Sequence, residues 1–322
     1  MTRQAPLALP EIFGLSPLPV RAREAWLTLR GATGVPPTRF GASSLGIFQP
    51  RLGVATWLGE RRADRRIPIY NLFNRTRTPL EQGWSVRKTQ VRDYRGGSLT
   101  YDSHNGTDFA IPVGTVVVAP AAGKVLRVSS EFNRGGLKVF LDHGRGLMTT
   151  CNHLGRALVR VGDVVRRGEP IAISAYSGID GLIGFPLNVP HVHFNVWLDG
   201  AYVDPFAAAG ETPIFREGND PRPPRGIEGE GEGEGEGERY EPTEWDPRGV
   251  DEAIEACRDP ALRAELSAEP ELDRRAMNVL FQRNYYPTRF SSAPRLFLAP
   301  HPREPRLSLP FRGEEWIGVA LD

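Results

Sequence analysis

Ser103-His104-Asn105-Gly106-Thr107-Asp108-Phe109 sets an imidazole and a carboxylate four residues apart across a glycine, at the entrance to an apolar run. Asn105 and Gly106 favour a turn over a helix, so the pair is expected on a turn feeding a strand. Histidine and aspartate are both zinc ligands, but a pair this close is, taken alone, more often a surface hydrogen bond. His191-Val192-His193-Phe194 changes that reading. Strand alternation sends His191 and His193 to one face, and Val192 and Phe194 to the other, into a core. Between these stretches lies His153, in Cys151-Asn152-His153-Leu154. Five of the six histidines fall from His104 to His193, and His301 lies far outside. A catalytic zinc needs three protein ligands and an open position. This segment can supply them with imidazoles to spare.

The surrounding sequence reads as strands. Gly114-Thr115-Val116-Val117-Val118 ends at Ala119-Pro120, and Gly123-Lys124-Val125-Leu126-Arg127-Val128 alternates after it. Residues 137–141 and 147–152 flank Asp142-His143-Gly144-Arg145-Gly146, a hairpin signal that makes His143 a turn residue. Cys151, two residues before His153, is expected on the same strand face as a small buried side chain. Residues 178–190 form a Gly- and Pro-containing loop able to wall a groove.

The order of these motifs resembles the lysostaphin-type zinc endopeptidases, which cut peptide cross-links in bacterial peptidoglycan. That family's pattern is H-x-x-x-D, a hairpin ending in H-L, a G-D-x-V-x-x-G turn and then H-x-H-F. Here it is met by His104 and Asp108, by His153-Leu154, by residues 162–168 and by His191-Val192-His193-Phe194. The resemblance covers about a third of the chain. It implies that His104, Asp108 and His193 hold Zn²⁺, and that His153 and His191 are the two further active-site histidines. One of these would take a proton from water, and the other would stabilise the oxyanion or protonate the leaving amine. Two neutral imidazoles and one carboxylate leave the ion a net positive charge, which lowers the pKa of its water towards ~7. The chain departs from the pattern at Cys151, where an aromatic is usual, at Ser174-Ala175-Tyr176-Ser177-Gly178 in place of S-G-x-T-G, and at Asn195, where an acid is common. The expected function is zinc-dependent hydrolysis of peptide bonds in peptidoglycan cross-links. The alternative is a non-catalytic module of the same fold that binds peptidoglycan or a partner. A zinc that merely stapled the sheet would need neither His153 nor His191.

The expected fold is mainly β, an antiparallel sheet core with an extra N-terminal region and a mixed α/β C-terminal tail. Residues 1–95 are read as an N-terminal region packing on the core, 96–210 as the zinc endopeptidase-like core, 211–240 as a Pro-rich and Gly-Glu linker, and 241–322 as a helical and short-strand tail. Within the first, residues 21–30 suit a helix with Ala25, Trp26 and Leu29 on one face, while residues 54–58 and 67–73 suit strands. The strict Gly-Glu alternation of residues 229–238 has no apolar side chain to bury and reads as a tether. Beyond it, Asp259-Pro260 and Glu269-Pro270 suit helix starts, and Leu272, Ala276, Val279, Leu280 and Arg283 form one stripe.

The net charge of +1 argues against a polyanion-binding surface over the whole protein, and no nucleic-acid partner is expected. The two cysteines, Cys151 and Cys257, cannot build a disulfide framework. Neither a signal sequence nor a membrane-spanning run is seen, so a wall-directed activity implies export by another route, with residues 1–95 or 241–322 as docking part for a delivery partner.

Overall fold

Alternating side chains organise the centre of the computed structural model, which describes residues 5–76, 78–229 and 239–321. Its strands are β1 (Arg66–Asn71), β2 (Thr107–Ala110), β3 (Val116–Val118), β4 (Gly123–Glu131), β5 (Gly136–Asp142), β6 (Leu147–Ala157), β7 (Val164–Val165), β8 (Pro170–Ser174), β9 (His191–Leu198), β10 (Ala201–Tyr202) and β11 (Gly318–Ala320). They join one sheet in the order β11-β1-β2-β9-β6-β5-β4-β7, with β10 beside β9, and β8 between β6 and β3. The pairs are antiparallel, apart from β1 with β11. The fold is therefore mainly antiparallel β. The helices are α1 (Leu9–Phe13), α2 (Leu18–Arg30), α3 (Pro50–Trp57), α4 (Ile179–Leu182), α5 (Pro247–Glu255), α6 (Pro260–Ala268) and α7 (Leu272–Tyr285).

Period-two alternation gives the sheet two buried faces. Val192, Phe194, Val196, Val139, Leu141 and Cys151 point into one core, which Leu307, Leu309, Phe311 and Trp316 complete from the end of the chain. Phe140, Met148 and Trp197 point the other way, against α5–α7 through Val250, Ile254, Leu280 and Phe281. Phe140 stacks on Trp197 at 5.6 Å and meets Phe281 edge-on at 5.7 Å. Fully burying such side chains is worth about 1.5–3 kcal/mol each, so both clusters help hold the sheet. His191 and His193 lie on the helix-bearing face, since they share parity with Trp197.

Some expected elements differ. Residues 54–58 are not a strand, because α3 spans Pro50–Trp57 with a proline in its first turn, where the missing N–H costs nothing. Helix α2 is present, but Trp26 and Leu29 are exposed at 55% and 61%. It docks instead through Arg21, which donates to the Ser130 carbonyl at 2.7 Å and pairs with Glu24 at 2.8 Å. A specific polar anchor has overridden the apolar stripe. Asp259 caps α6 as expected, accepting from Ala261 and Leu262 N–H. Glu269-Pro270 opens no helix, since α7 begins at Leu272 with Glu271 as N-cap.

The sheet draws on sequence beyond 96–210. β1 comes from residues 66–71 and β11 from residues 318–320. In the stretch read as linker, Ile214 and Phe215 are buried, and Phe215 bridges Leu307. The Gly-Glu alternation lies, from residue 230 to 238, outside the described residues.

Candidate metal centre

Strand pairing assembles the centre. Asp108 on β2 sits directly opposite His193 on β9, and His104 lies on the turn feeding β2. His104 Nε2, Asp108 Oδ1 and His193 Nδ1 converge. The separations are 3.1 Å from His104 to Asp108, 2.7 Å from His193 to Asp108 and 3.2 Å between the two imidazoles. All three residues are buried.

The proton inventory of these groups suits a cation. His104 Nδ1–H donates to the Leu72 carbonyl at 2.6 Å, which leaves a lone pair on Nε2. We assign the His193 proton to Nε2, which lies 3.2 Å from Asn105 Oδ1, so Nδ1 also presents a lone pair. Asn195 Nδ2 lies 2.9 Å from the same Nε2, but its hydrogens go to the Asn105 carbonyl and Oδ1 at 2.9 and 3.0 Å. Asp108 keeps Oδ2 occupied by the Asn71 amide at 2.8 Å and turns Oδ1 inward. Two lone pairs and a carboxylate oxygen thus face one point with no donor between them. A tetrahedral zinc with bonds of about 2.0–2.1 Å would separate its ligands by roughly 3.3 Å, close to the observed spacings. The residues fit the ion. Burial works to raise the Asp108 pKa, but His104, His191 and His193 around it hold the carboxyl well below its usual range. Burial, only partly opposed by Asp108, lowers that of His193.

His153 and His191 stand beside this triad. His191 Nδ1–H donates to the Val189 carbonyl at 2.7 Å, and its Nε2 lies 3.5 Å from Asp108 Oδ1. His153 Nδ1–H donates to the Ser177 carbonyl at 2.8 Å, and its ring centroid lies 4.7 Å from that of His191. Burial, then the neighbouring His191, pushes the His153 pKa well below its ordinary value, so it is held neutral.

His153 reaches the site by breaking alternation. Leu137 pairs with Leu154 and Val139 with Cys151, so β6 spends one residue more than β5 across this interval. His153 absorbs the extra residue at φ +60°, a left-handed conformation rare for a non-glycine residue. Cys151 consequently faces the apolar core while His153 faces the site, and the expectation of a shared face is corrected. The bulge is tied down by His153 N–H donating to the Gly135 carbonyl at 2.8 Å.

All five residues singled out in the sequence meet here, and His143 does not. Its Nδ1–H donates to the Ala122 carbonyl and its Nε2 accepts from the Thr149 hydroxyl, as a turn residue should. Sequence reasoning missed Asn71, Asn105, Tyr101 and Tyr176. Tyr101 packs on His104 at 4.6 Å, and Tyr176 edges His153 and His191 at 5.4 and 5.0 Å. Asn105 lies inside the first motif and was there to be read. Asn71 gives no local signal, because only the pairing of β1 with β2 brings it to Asp108.

Residues 102–205 match the model of Peptidase family M23. This segment is a lysostaphin-type M23 peptidase domain. An uncharacterized metalloprotease of Haemophilus influenzae is 38% identical to the chain over 102 residues, which is 32% of this chain and 20% of the relative. Peptidoglycan DD-endopeptidase ShyB of Vibrio cholerae is 36% identical over 113 residues, 35% and 24% of the two chains. Murein hydrolase activator EnvC of Escherichia coli is 37% identical over 124 residues, 38% and 27%. The chain spans between 20% and 27% of the length of these relatives. The five site residues all fall within the segment that matches the Peptidase family M23 model.

Proposed function

We propose that the chain is a zinc-dependent endopeptidase that hydrolyses peptide bonds in peptidoglycan cross-links. The observation behind this reading is the convergence of three inward ligand atoms with two further histidines, each oriented by a backbone carbonyl. His104, Asp108 and His193 would hold the ion. Bound there, zinc supplies Lewis acidity and brings the pKa of water towards about 7.

The remaining steps belong to the chain's own side chains. With Nδ1–H committed to a carbonyl, His153 and His191 each keep Nε2 free to receive or return a proton. One takes the proton of the attacking water. The other donates a hydrogen bond to the oxyanion of the tetrahedral intermediate, or a proton to the leaving amine. Asn71, Asn105 and the Leu72 carbonyl hold the ligands in orientation. The alternative of a non-catalytic module leaves His153, strained at φ +60°, without a task.

The test is the product of the reaction. Purified peptidoglycan incubated with the chain should release peptides with a new amine and a new carboxylate at a cross-link, and mass spectrometry should find the glycan strands uncut. Cleaved glycan, or intact cross-links after treatment with folded, zinc-loaded protein, would overturn the reading. A wall substrate also requires the chain to leave the cytoplasm. Directed to the periplasm it should lyse a susceptible host that tolerates it in the cytoplasm.

A further inference from the structure

Arg134 sits in the short connection between β4 and β5 and is 8% exposed. It lines the cleft that also contains His153, His193, Asn105, Trp84 and Tyr285. Burying a guanidinium is costly unless its charge and its N–H groups are matched. Among the described residues no carboxylate pairs with it, and its one hydrogen bond runs from Nη1 to the neighbouring Asn133 carbonyl at 2.9 Å. Its Nε is buried without a partner. Asp180 lines the same cleft but forms no ion pair with it.

Two aromatic rings compensate part of the charge. The guanidinium carbon lies 5.6 Å from the ring centroids of both Trp84 and Tyr286. Such contacts offer the N–H groups on the guanidinium edge no acceptor, and of these groups Nη1 alone is matched, by the Asn133 carbonyl. An open edge is the part that grips a carboxylate in bidentate fashion. The connection is also held from beneath: buried Lys138 donates to the Arg134 and Gly136 carbonyls at 2.7 Å and pairs with Glu131 at 2.6 Å. Gly135, the next residue, takes the His153 N–H. Arg134 is therefore fixed in register with the candidate catalytic histidine.

We propose that Arg134 is the carboxylate-binding residue of this cleft and grips a free carboxylate of the peptide substrate by the open edge of its guanidinium. This rests on the endopeptidase reading and gives it a substrate class: peptides with a carboxylate near the bond to be cut. Arg134 acts on specificity and holds no proton in the reaction.

The probes are cross-linked stem-peptide dimers purified from peptidoglycan, and the same dimers with their carboxylates converted to carboxamides. Affinity is read by titration calorimetry with the full chain, and KM and kcat from initial rates. The wild type should favour the carboxylate form by about tenfold or more, the worth of a charge-assisted hydrogen bond. Arg134→Met should bring that ratio to within about twofold through KM, with kcat little changed, whereas Arg134→Lys should retain part of it. A clamp role alone would lower affinity for both forms equally. Equal affinity of the wild type for the two forms, binding of neither, or full discrimination by Arg134→Met overturns the proposal. The wild-type comparison needs no variant to fold. If neither dimer is cut while calorimetry still ranks them, the hydrolase reading has failed and the Arg134 assignment has not.

Discussion

His143, on the turn after β5, and His153, on β6, are both buried, and their surroundings separate their tasks. Both nitrogens of His143 are spent, on the Ala122 carbonyl and the Thr149 hydroxyl, whereas His153 keeps Nε2 towards the site. Burial pushes the His143 pKa down to about 3. An unfolded histidine titrates near ~6.5, so the unfolded chain takes up this proton first. The stability from His143 is complete above about pH 6.5 and is lost progressively as pH falls towards 3. In urea unfolding at a series of pH values, His143→Gln should flatten the acid limb by up to one proton, about 1.4 kcal/mol per pH unit. An unchanged slope would contradict that assignment. At this scale the sequence was most legible. His104, Asp108, His153, His191 and His193 belong to short motifs whose spacing places them. Asn71 and Tyr101 do not, and Tyr176, although inside the stretch 174–178, takes its place beside His153 and His191 from tertiary packing.

Among the elements, β2 and β9 were legible because alternation is local, and their register sets Asp108 against His193. The bulge in β6 was not. One extra residue relative to β5 reverses the facing of His153 against Cys151, and no pattern in Cys151-Asn152-His153-Leu154 announces it. In α2, apolar periodicity gave the helix but not its docking face, which Arg21 decides. β1 contributes through Asn71, which fills Asp108 Oδ2 and leaves Oδ1 directed inward. Asn71→Leu should therefore weaken zinc binding about 10- to 100-fold, the usual effect of removing a group that orients a ligand. Competition with a chromophoric chelator would measure it. Unaltered affinity would mean that β1 supports the fold without tuning the centre.

On the scale of the molecule, the M23 domain borrows its walls. Trp84 from upstream and Tyr285 from α7 both line the cleft, and Tyr285 Oη reaches Asn195 at 3.4 Å. Phe140, Met148 and Trp197 are covered by the C-terminal helices. Cut out alone, residues 96–210 would expose those side chains and lose β1 and β11, at about 1.5–3 kcal/mol for each large apolar group uncovered. Calorimetry should find no cooperative transition in that fragment, in contrast to the full chain. A fragment melting like the parent would make the flanking regions accessory. This long-range packing lay beyond sequence, since Phe140, which stacks on Trp197, meets Phe281 of α7 only through the tertiary fold.

The central claim is that these five residues form one hydrolytic zinc centre with divided labour. Zinc content and peptidoglycan cleavage, measured on the same preparations of wild type, His193→Ala, His153→Ala and His191→Ala, test it most directly. The account predicts about one zinc per wild-type chain and loss of most zinc and all cleavage in His193→Ala. His153→Ala and His191→Ala should keep zinc yet cleave ~10²-fold more slowly or worse. Full cleavage by the wild type after exhaustive chelation, or by either of these last two variants, would contradict it.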